Sequence, residues 1–231
     1  MRKLGYVLML LGVVVILYPQ LSEWHADRQT SRLLMEAEQQ VSDKGTTTMD
    51  QSKTTNQVNQ GIANDYANLT KWLEHASESE QTSGQGTVVH ASEKKAATSN
   101  EEAIGIIEIK DIEVELPILD GATQQNMKHA AVHMSETASL GQPGNSAIAA
   151  HRAHAIGRLF NRLDEVKLGD EVLIRTQGEQ YRYEIIRIKV VEPTDLSVLQ
   201  DEGNDCLLTL ITCDPLINPT HRLIVQAKIM K

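Results

Sequence analysis

Residues Asp205 to Lys231 read DCLLTLITCDPLINPTHRLIVQAKIMK and predict a β-hairpin near the C-terminus. The apolar run Leu207 to Thr212 ends on Cys213, and a turn-rich passage separates it from a second apolar run. Arg222 stands near the start of that second run. If the two runs pair as strands, the thiol and the guanidinium lie near the same edge of one sheet. A cation beside a thiol favours the thiolate, the form that attacks carbonyl carbons. The hairpin therefore predicts a nucleophilic cysteine.

The chain upstream of this hairpin predicts further short strands separated by turns, with no long helical period after Gly105. The strand candidates are 104–109, 112–119, 146–150, 171–176, 180–191, 207–212 and 221–229. Short helical turns are expected within 121–131, 158–163 and 196–199. The second candidate alternates at Ile112, Val114 and Leu116 until Pro117 interrupts the pattern, and proline cannot donate to a sheet ladder. Many short strands without βαβ alternation predict a mainly β domain over 103–231, a closed or nearly closed barrel of about seven to eight strands with short helices.

Composition restricts the function classes. The chain has 231 residues, is 41% hydrophobic and carries a formal net charge of −9. The length favours one compact domain with appendages, and the negative charge argues against a nucleic-acid binder that relies on a basic surface. The two cysteines, Cys206 and Cys213, would lie about 23 Å apart on one strand, too far for a disulfide. No C-x-x-C or H-E-x-x-H spacing occurs, so the sequence predicts neither a metal site nor a cofactor.

The N-terminus predicts a membrane anchor. Arg2 and Lys3 precede an uncharged apolar run from Leu4 to Tyr18, and Trp24 follows as an interfacial residue. No small-residue cleavage site follows the run, so an uncleaved anchor over 1–24 is favoured over a cleaved secretory signal. In both alternatives the basic flank stays in the cytoplasm and the rest of the chain lies outside it. The prediction is a single-pass protein of the cell membrane with an extracytoplasmic C-terminal domain.

Residues 25–102 are expected to form an extracytoplasmic linker, with the Thr/Ser/Asn-rich stretch 44–59 as a disordered spacer. One segment, 62–76, is different because Ile62, Tyr66, Leu69 and Leu73 fall on one face of a helix. A lone amphipathic helix must bury its apolar face. It either docks on the outside of the domain or lies over the active site as a lid, and the sequence leaves both open.

A second strand end carries a candidate base. The small-residue strand 146–150 runs into His151, so that a base, a thiol and a cation are each placed at a strand terminus. This is the set of groups that nucleophilic acyl transfer requires. Histidine exchanges protons with the thiol and with a departing amine, and arginine binds the substrate carbonyl or its developing oxyanion. The spacing suggests this trio without excluding coincidence.

Three segments resemble the sortases, the cysteine transpeptidases of Gram-positive cell surfaces. They are TLITC at Thr209–Cys213, Arg222 beyond it, and AAHR at Ala149–Arg152. The similarity runs from about 103 to 231, and TL-x-TC is its specific motif. The resemblance implies a sortase-type barrel in which Cys213 is the nucleophile, His151 the general acid/base and Arg222 the stabilising arginine.

The resemblance also implies a substrate and a mechanism. A sorting signal of the LPxTG or LPNTA kind would be cleaved after its Thr through a thioester on Cys213. A peptidoglycan or lipid II amine, such as that of diaminopimelate, would then resolve the thioester and anchor the surface protein. Thr212, Asp214 and His221 are the candidate substrate-binding residues. Asp214 and Asp120 are candidate acidic partners for His151.

The sequence combines features of two sortase classes. The passages TCDPLINPTHRLIV and GRLFNRLDEVKLGDEV resemble the pilin-polymerising class C enzymes, which join pilin subunits through lysine. The absence of an Asp-Pro-aromatic motif before the barrel and of a second apolar run after it favours class D. A papain-like protease is disfavoured because its cysteine starts a helix near the mature N-terminus. A non-catalytic surface-binding module stays as the alternative from another class. His133 is expected to have a structural hydrogen-bonding role.

Overall fold

The computed structural model describes residues 28–42, 55–79, 102–153, 158–201, 203 and 205–230. Within these residues eight strands form a closed barrel in the order β1-β2-β3-β4-β7-β8-β6-β5. The strands are β1 Ala103–Ile109, β2 Val114–Asp120, β3 Ala131–His133, β4 Gly144–Ala149, β5 Glu171–Thr176, β6 Glu179–Val191, β7 Cys206–Asp214 and β8 His221–Ile229. The prediction of a closed, mainly β barrel is confirmed.

Three α-helices and three short 3₁₀ turns accompany the strands in the described part of the chain. The helices are α1 over 28–42, α2 Thr55–Ser79 and α3 Gln124–Met127, and the 3₁₀ turns are Lys110–Ile112, Leu163–Glu165 and Leu196–Leu199. The side chain of Thr123 caps α3 by accepting from the Asn126 amide. The short α3 and the 3₁₀ turns occupy connections between strands. Two strand pairings are parallel, β2 with β3 and β4 with β7, and the others are antiparallel, including the long-range pairs of β1 with β5 and β6 with β8.

The barrel interior is filled by aliphatic side chains that every strand contributes. Alternate positions of each strand point inward, because successive side chains of a strand face opposite sides. On β7 the inward positions are Leu208 and Leu210, and on β8 they are Leu223, Val225 and Ala227. The outward positions of the same strands are therefore available for other contacts, and the candidate site lies among them.

The second strand continues through its proline. Pro117 pairs with Ile106 on β1, whereas the pairing with β3 starts only at Ile118. Proline lacks an amide hydrogen, and at Pro117 no neighbouring strand requires one on the β3 side. The strand predicted over 112–119 therefore runs through Pro117, and the alternation of buried and exposed residues stops there as expected. The short β3 was missed, because its Ala-Val-His sequence is too brief to show alternation.

Two helices cover separate areas of the barrel's outer surface. Leu33, Leu34 and Ala37 of α1 pack with Ile106 and Leu119 of the first two strands. Helix α2 includes the predicted amphipathic segment 62–76 and covers the outer face of β3, β4, β7 and β8. Since α2 begins at Thr55, the last residues of the predicted spacer 44–59 are helical, and that part of the spacer prediction is wrong.

The predicted membrane anchor, 1–24, lies outside the described residues, as do the linker positions 80–101. None of the helices that the structure describes combines the length and the apolar character needed to cross a membrane. The anchor therefore stays a prediction from the sequence.

Candidate active site

The cysteine and the arginine of the C-terminal hairpin are direct neighbours in the sheet. Strands β7 and β8 are antiparallel, and Cys213 is the register partner of Arg222. The Cβ atoms of directly opposite residues on antiparallel strands are about 4.5–5.5 Å apart. The hairpin therefore brings the thiol and the guanidinium to one edge of the barrel, as the sequence predicted from the order of the two residues.

The histidine follows the strand on the other side of β7. Strand β4 runs parallel to β7, and the last pair of their ladder is Ala149 with Ile211. Continuing that register by two positions brings His151 level with Cys213. Strand alternation places His151 on the same face as Ala149, and Cys213 on the same face as Ile211, because each pair is separated by one residue. Ala149, Ile211 and Cys213 all belong to the cluster on the outer surface under α2.

Helix α2 covers this part of the barrel with its apolar face. Its residues Tyr66, Leu69 and Leu73 are buried against the outer surface of β4, β7 and β8, in the cluster that contains Cys213. The hydroxyl of Thr70 also donates to the carbonyl of Pro193, 3.2 Å away, which ties α2 to the loop after β6. Of the two alternatives that the sequence left open, the structure therefore has α2 lying over the candidate site.

Two main-chain carbonyls of α2 engage the proposed catalytic groups. The Leu73 carbonyl accepts from Cys213 Sγ at 3.7 Å, and the Thr70 carbonyl accepts from the Arg222 guanidinium at 3.3 Å. Cys213 is 5% exposed and Arg222 is fully buried. A peptide that presented its own carbonyl to these two side chains would occupy the space that α2 fills. The described conformation is thus closed to a peptide substrate.

One polar group in this interface is not matched. The Tyr66 hydroxyl is buried and makes no hydrogen bond within the described residues. Burial raises the pKa of Tyr66 to about 12, although the nearby charge of Arg222 acts to lower it. An unmade hydrogen bond on a buried hydroxyl costs about 1–3 kcal/mol. The orphan hydroxyl therefore weakens the docking of α2 relative to an all-apolar contact.

Burial keeps the His151 imidazole neutral near pH 7. The ring retains partial solvent contact, yet the protein packed around it lowers its pKa to about 4 by desolvation of the charged form. The neutral ring offers a nitrogen lone pair, which is the form required to accept a proton from a thiol. In this closed conformation His151 is thus set up as a base.

This depressed pKa predicts a loss of stability in acid. The folded pKa of His151, about 4, lies below the unfolded value of about 6.5, so between them the unfolded chain binds more protons. The contribution of neutral His151 to the free energy of unfolding is complete above pH 6.5 and is lost as the pH falls toward 4. We expect the free energy of unfolding to drop by about 2–3 kcal/mol more in the wild type than in His151→Gln between pH 7 and pH 4.5, measured by urea denaturation.

The matched control for this experiment is His221→Gln, since the His221 side chain is 42% exposed at the strand edge. That variant should lose stability in acid as the wild type does, because the carboxylates common to all three proteins titrate alike. Equal acid sensitivity of the wild type and His151→Gln would contradict the depressed pKa.

The other predicted substrate-binding residues have different surroundings. Thr212 is fully buried, and its hydroxyl donates to the Ala150 carbonyl at 2.8 Å, so it joins β7 to β4. Asp214 binds Arg152, with 2.8 Å between Oδ1 and Nη1. His221 lies at the exposed edge, near Thr220 and Glu192. The Thr212 hydroxyl is thus committed to the fold, whereas Asp214 and His221 keep partial exposure.

Neither of the predicted acidic partners of His151 has that role in the structure. The carboxylate of Asp214 pairs with Arg152, and that of Asp120 pairs with His133, 2.9 Å from its Nδ1. Burial acts to raise the pKa of Asp120, but hydrogen bonding and the charge of His133 outweigh it and the pKa is lowered. The prediction of an acidic partner for His151 at either position is therefore wrong. The other nitrogen of His133 lies 3.0 Å from the Ala138 carbonyl, which is the structural role expected for this histidine.

Two features of the site were not predicted from the sequence. Main-chain carbonyls carry no sequence signal, so the contacts of Thr70 and Leu73 could not be predicted from helical periodicity alone. The AAHR motif includes Arg152, but the motif did not predict a function for it. In the structure its side chain is 8% exposed and pairs with two carboxylates. Its position directly after the candidate base was the sequence signal that could have identified it, since arginine is suited to pairing with carboxylates.

Comparisons with known proteins agree with this geometry. Residues 107–230 match a family model described as a sortase domain. Among curated relatives, Sortase A of Bacillus anthracis is 30% identical over 135 residues, which are 58% of this chain and 63% of that protein. Sortase D of Bacillus subtilis is 28% identical over 160 residues, or 66% of this chain and 78% of that protein. The chain spans between 53% and 63% of the first three curated relatives it matches.

Solved structures show the same fold. Sortase C1 of GBS Pilus Island 1 superposes with a TM-score of 0.59 at 22% identity, over 87% of this chain and 92% of that one. A lid mutant of Sortase A from Corynebacterium diphtheriae superposes with a TM-score of 0.55 at 28% identity, over 71% and 94% respectively. The first likeness concerns the fold alone. Together with the family match, the likenesses cover the barrel and all three residues of the trio.

Proposed function

This chain belongs to the sortase family, and from that membership and the geometry of Cys213, His151 and Arg222 we propose that it is a membrane-anchored cysteine transpeptidase. The observation that carries the proposal is the register pairing of Cys213 with Arg222, next to a strand that leads into His151. A coincidental trio would not be expected at adjacent strand ends on one face of the barrel. The predicted anchor over 1–24 would hold this barrel at the outer surface of the membrane.

The proposed reaction has two halves. The Cys213 thiol gives its proton to neutral His151. The sulfur then attacks the main-chain carbonyl carbon of the Thr in an LPxTG- or LPNTA-like sorting signal. Arg222 donates hydrogen bonds to the oxyanion that develops on the carbonyl oxygen. The C–N bond then breaks, His151 returns its proton to the departing amine, and a thioester remains on Cys213.

In the second half an amine resolves the thioester. The amine nitrogen attacks the thioester carbonyl, its proton passes through His151 to the cysteine sulfur, and an amide forms. We propose a peptidoglycan or lipid II amine, such as that of diaminopimelate, as the acceptor, in a housekeeping enzyme of the class D type. The 28% identity to a Sortase D over 78% of that protein supports this class. A class C role, in which a pilin lysine is the acceptor, is the alternative.

Helix α2 is proposed to be a lid in this enzyme. Its Thr70 and Leu73 carbonyls contact Arg222 and Cys213, the two side chains that the mechanism assigns to the substrate carbonyl. The lid therefore imitates the polar contacts of a bound peptide while its apolar face excludes water from the thiol. Turnover requires α2 to move away from β7 and β8.

The proposal is tested by a peptide-library cleavage assay with added amine acceptors. We expect the full chain to cleave peptides of the LPxTG or LPNTA type after Thr and to transfer the acyl part to diaminopimelate or to a lysine-containing pilin peptide. The preferred acceptor distinguishes the class D from the class C alternative. Release of hydrolysed peptide from all library members alike, or no cleavage of any, would argue against a sorting function.

A further inference from the structure

The main-chain ladder that aligns β4 with β7 ends before it reaches the catalytic pair. Its last register pair is Ala149 with Ile211, and the Ala150 amide makes one more bond, to the Ile211 carbonyl at 3.2 Å. His151 and Cys213 lie beyond this point. Their relative position therefore depends on other interactions between the two strand ends.

Arg152 supplies such an interaction. Its Nη1 lies 2.8 Å from Oδ1 of Asp214 and 3.5 Å from the carbonyl of Cys213, so the residue after His151 grips the residue after the nucleophile. The guanidinium is 8% exposed, and a charge-assisted bond of a buried arginine is both stronger and more directional than a neutral one. The Thr212 hydroxyl adds one neutral bond, to Ala150.

The other side of Arg152 holds the returning chain. Its Nη2 lies 2.5 Å from Oδ2 of Asp164, and the Phe160 amide donates to the His151 carbonyl at 3.0 Å. Arg152 thus pairs with two carboxylates, of which one belongs to the cysteine strand and the other does not. These two contacts provide a natural comparison.

We propose that Arg152 is a positioning residue, which holds His151 and Cys213 in reactive register through its bond to Asp214. This inference rests on the proposed transpeptidase function. Successive residues of an extended strand face opposite sides, so Arg152 and Asp214 point away from the face that carries the imidazole and the thiol. Arg152 therefore acts through the backbone of the two strand ends and does not touch the substrate.

The test compares Asp214→Asn with Asp164→Asn in the full chain. Each substitution removes one carboxylate charge beside Arg152 with little change of shape, but only the first removes the link to the cysteine strand. For Asp214→Asn we expect kcat to fall roughly tenfold to a hundredfold with KM within about twofold, because a misplacement of about 1 Å can cost about a hundredfold in rate. Asp164→Asn should keep both constants within about twofold. Arg152→Lys, which retains one charged bond, should fall between them.

Amide hydrogen exchange gives a readout that does not depend on activity. The amides of 150–153 and 213–214 should exchange faster in Asp214→Asn than in the wild type, whereas Asp164→Asn should affect mainly 158–165. Faster exchange without a loss of kcat, or equal kcat losses in the two variants, would overturn the positioning role. A rise in KM instead would identify Asp214 as a substrate contact. If the wild type cleaves no peptide, the proposed function fails, and exchange at the two strand ends alone decides whether the link exists.

Discussion

Replacing Cys213 with alanine abolishes thioester formation and cleavage of an LPxTG- or LPNTA-type peptide, while the barrel stays folded. The reason is chemical, because Cys213 supplies the sulfur on which the acyl group is carried and alanine has no nucleophile. The structural cost is small, since a single buried sulfur is removed at the end of β7, outside the barrel's interior cluster. Intact-mass spectrometry detects the acyl-enzyme, and circular dichroism reports the fold.

The chain contains its own control in the second cysteine. Cys206 stands at the head of the same strand and is partly exposed, far from Arg222. Cys206→Ala should therefore retain the acyl-enzyme and its turnover rate. Unchanged peptide turnover by Cys213→Ala would refute Cys213 as the nucleophile and with it the sortase mechanism. A wild type that forms no acyl-enzyme and cleaves no peptide would favour the non-catalytic surface-binding module.

Weakening the lid speeds the reaction. Leu69 is fully buried in the contact of α2 with the barrel, and Leu→Ala at such a site costs about 2–5 kcal/mol. This loss falls on the closed conformation, because an undocked α2 leaves Leu69 in water in either protein. We expect Leu69→Ala to raise kcat/KM for the peptide at least roughly tenfold, until the open form predominates. The rate of Cys213 alkylation by iodoacetamide should rise in parallel.

A second variant is expected to change the reaction rate in the opposite direction. Tyr66→Phe removes the buried hydroxyl that has no hydrogen bond within the described residues, and it keeps the ring that packs on the barrel. The closed form gains about 1–3 kcal/mol from this removal, so cleavage and alkylation should both slow by roughly fivefold or more. Activity that moves in opposite directions in the two variants is difficult to explain by general destabilisation.

The control for the lid is a comparable leucine on the other helix. Leu33 of α1 packs on the cluster of β1 and β2, away from Cys213, so Leu33→Ala should lower stability without raising the rate. Truncation before Ala103 should reproduce the acceleration seen with Leu69→Ala. If the truncated barrel is folded and cleaves peptide at the wild-type rate, α2 is not a lid.

The barrel could be predicted because its signals are local. The apolar run in 221–229 and the turn residues before it mark β8 at its observed bounds, because a strand buried on both faces is read as a short continuous apolar segment. The sequence does not show how β2 accommodates its proline, because whether a strand tolerates proline depends on which neighbour pairs at that position. That pairing is a tertiary property, and Pro117 alone does not encode it.

The candidate trio could be predicted from strand order and resemblance, whereas its surroundings could not. The sequence places Cys213 and Arg222 on one hairpin, and hairpin geometry then requires them to be neighbours. Asp214 and Asp120 were the candidate acidic partners for His151. Arg152 and His133 compete for those carboxylates, and competition among charged side chains is decided by three-dimensional packing.

The interior of the barrel is filled by residues from Ile107 onward, with Ile104 at its margin, and none of the described side chains of α1 and α2 belongs to it. The upstream helices contribute only to the two outer clusters. A catalytic barrel whose core is complete without α1 and α2 can be inherited separately from those helices. Recombination at the start of β1 would then join the same catalytic barrel to a different covering segment, and so change how its activity is controlled. In the laboratory, chimeras joined near Ala103 offer a direct route to sortase-fold catalysts with exchangeable control.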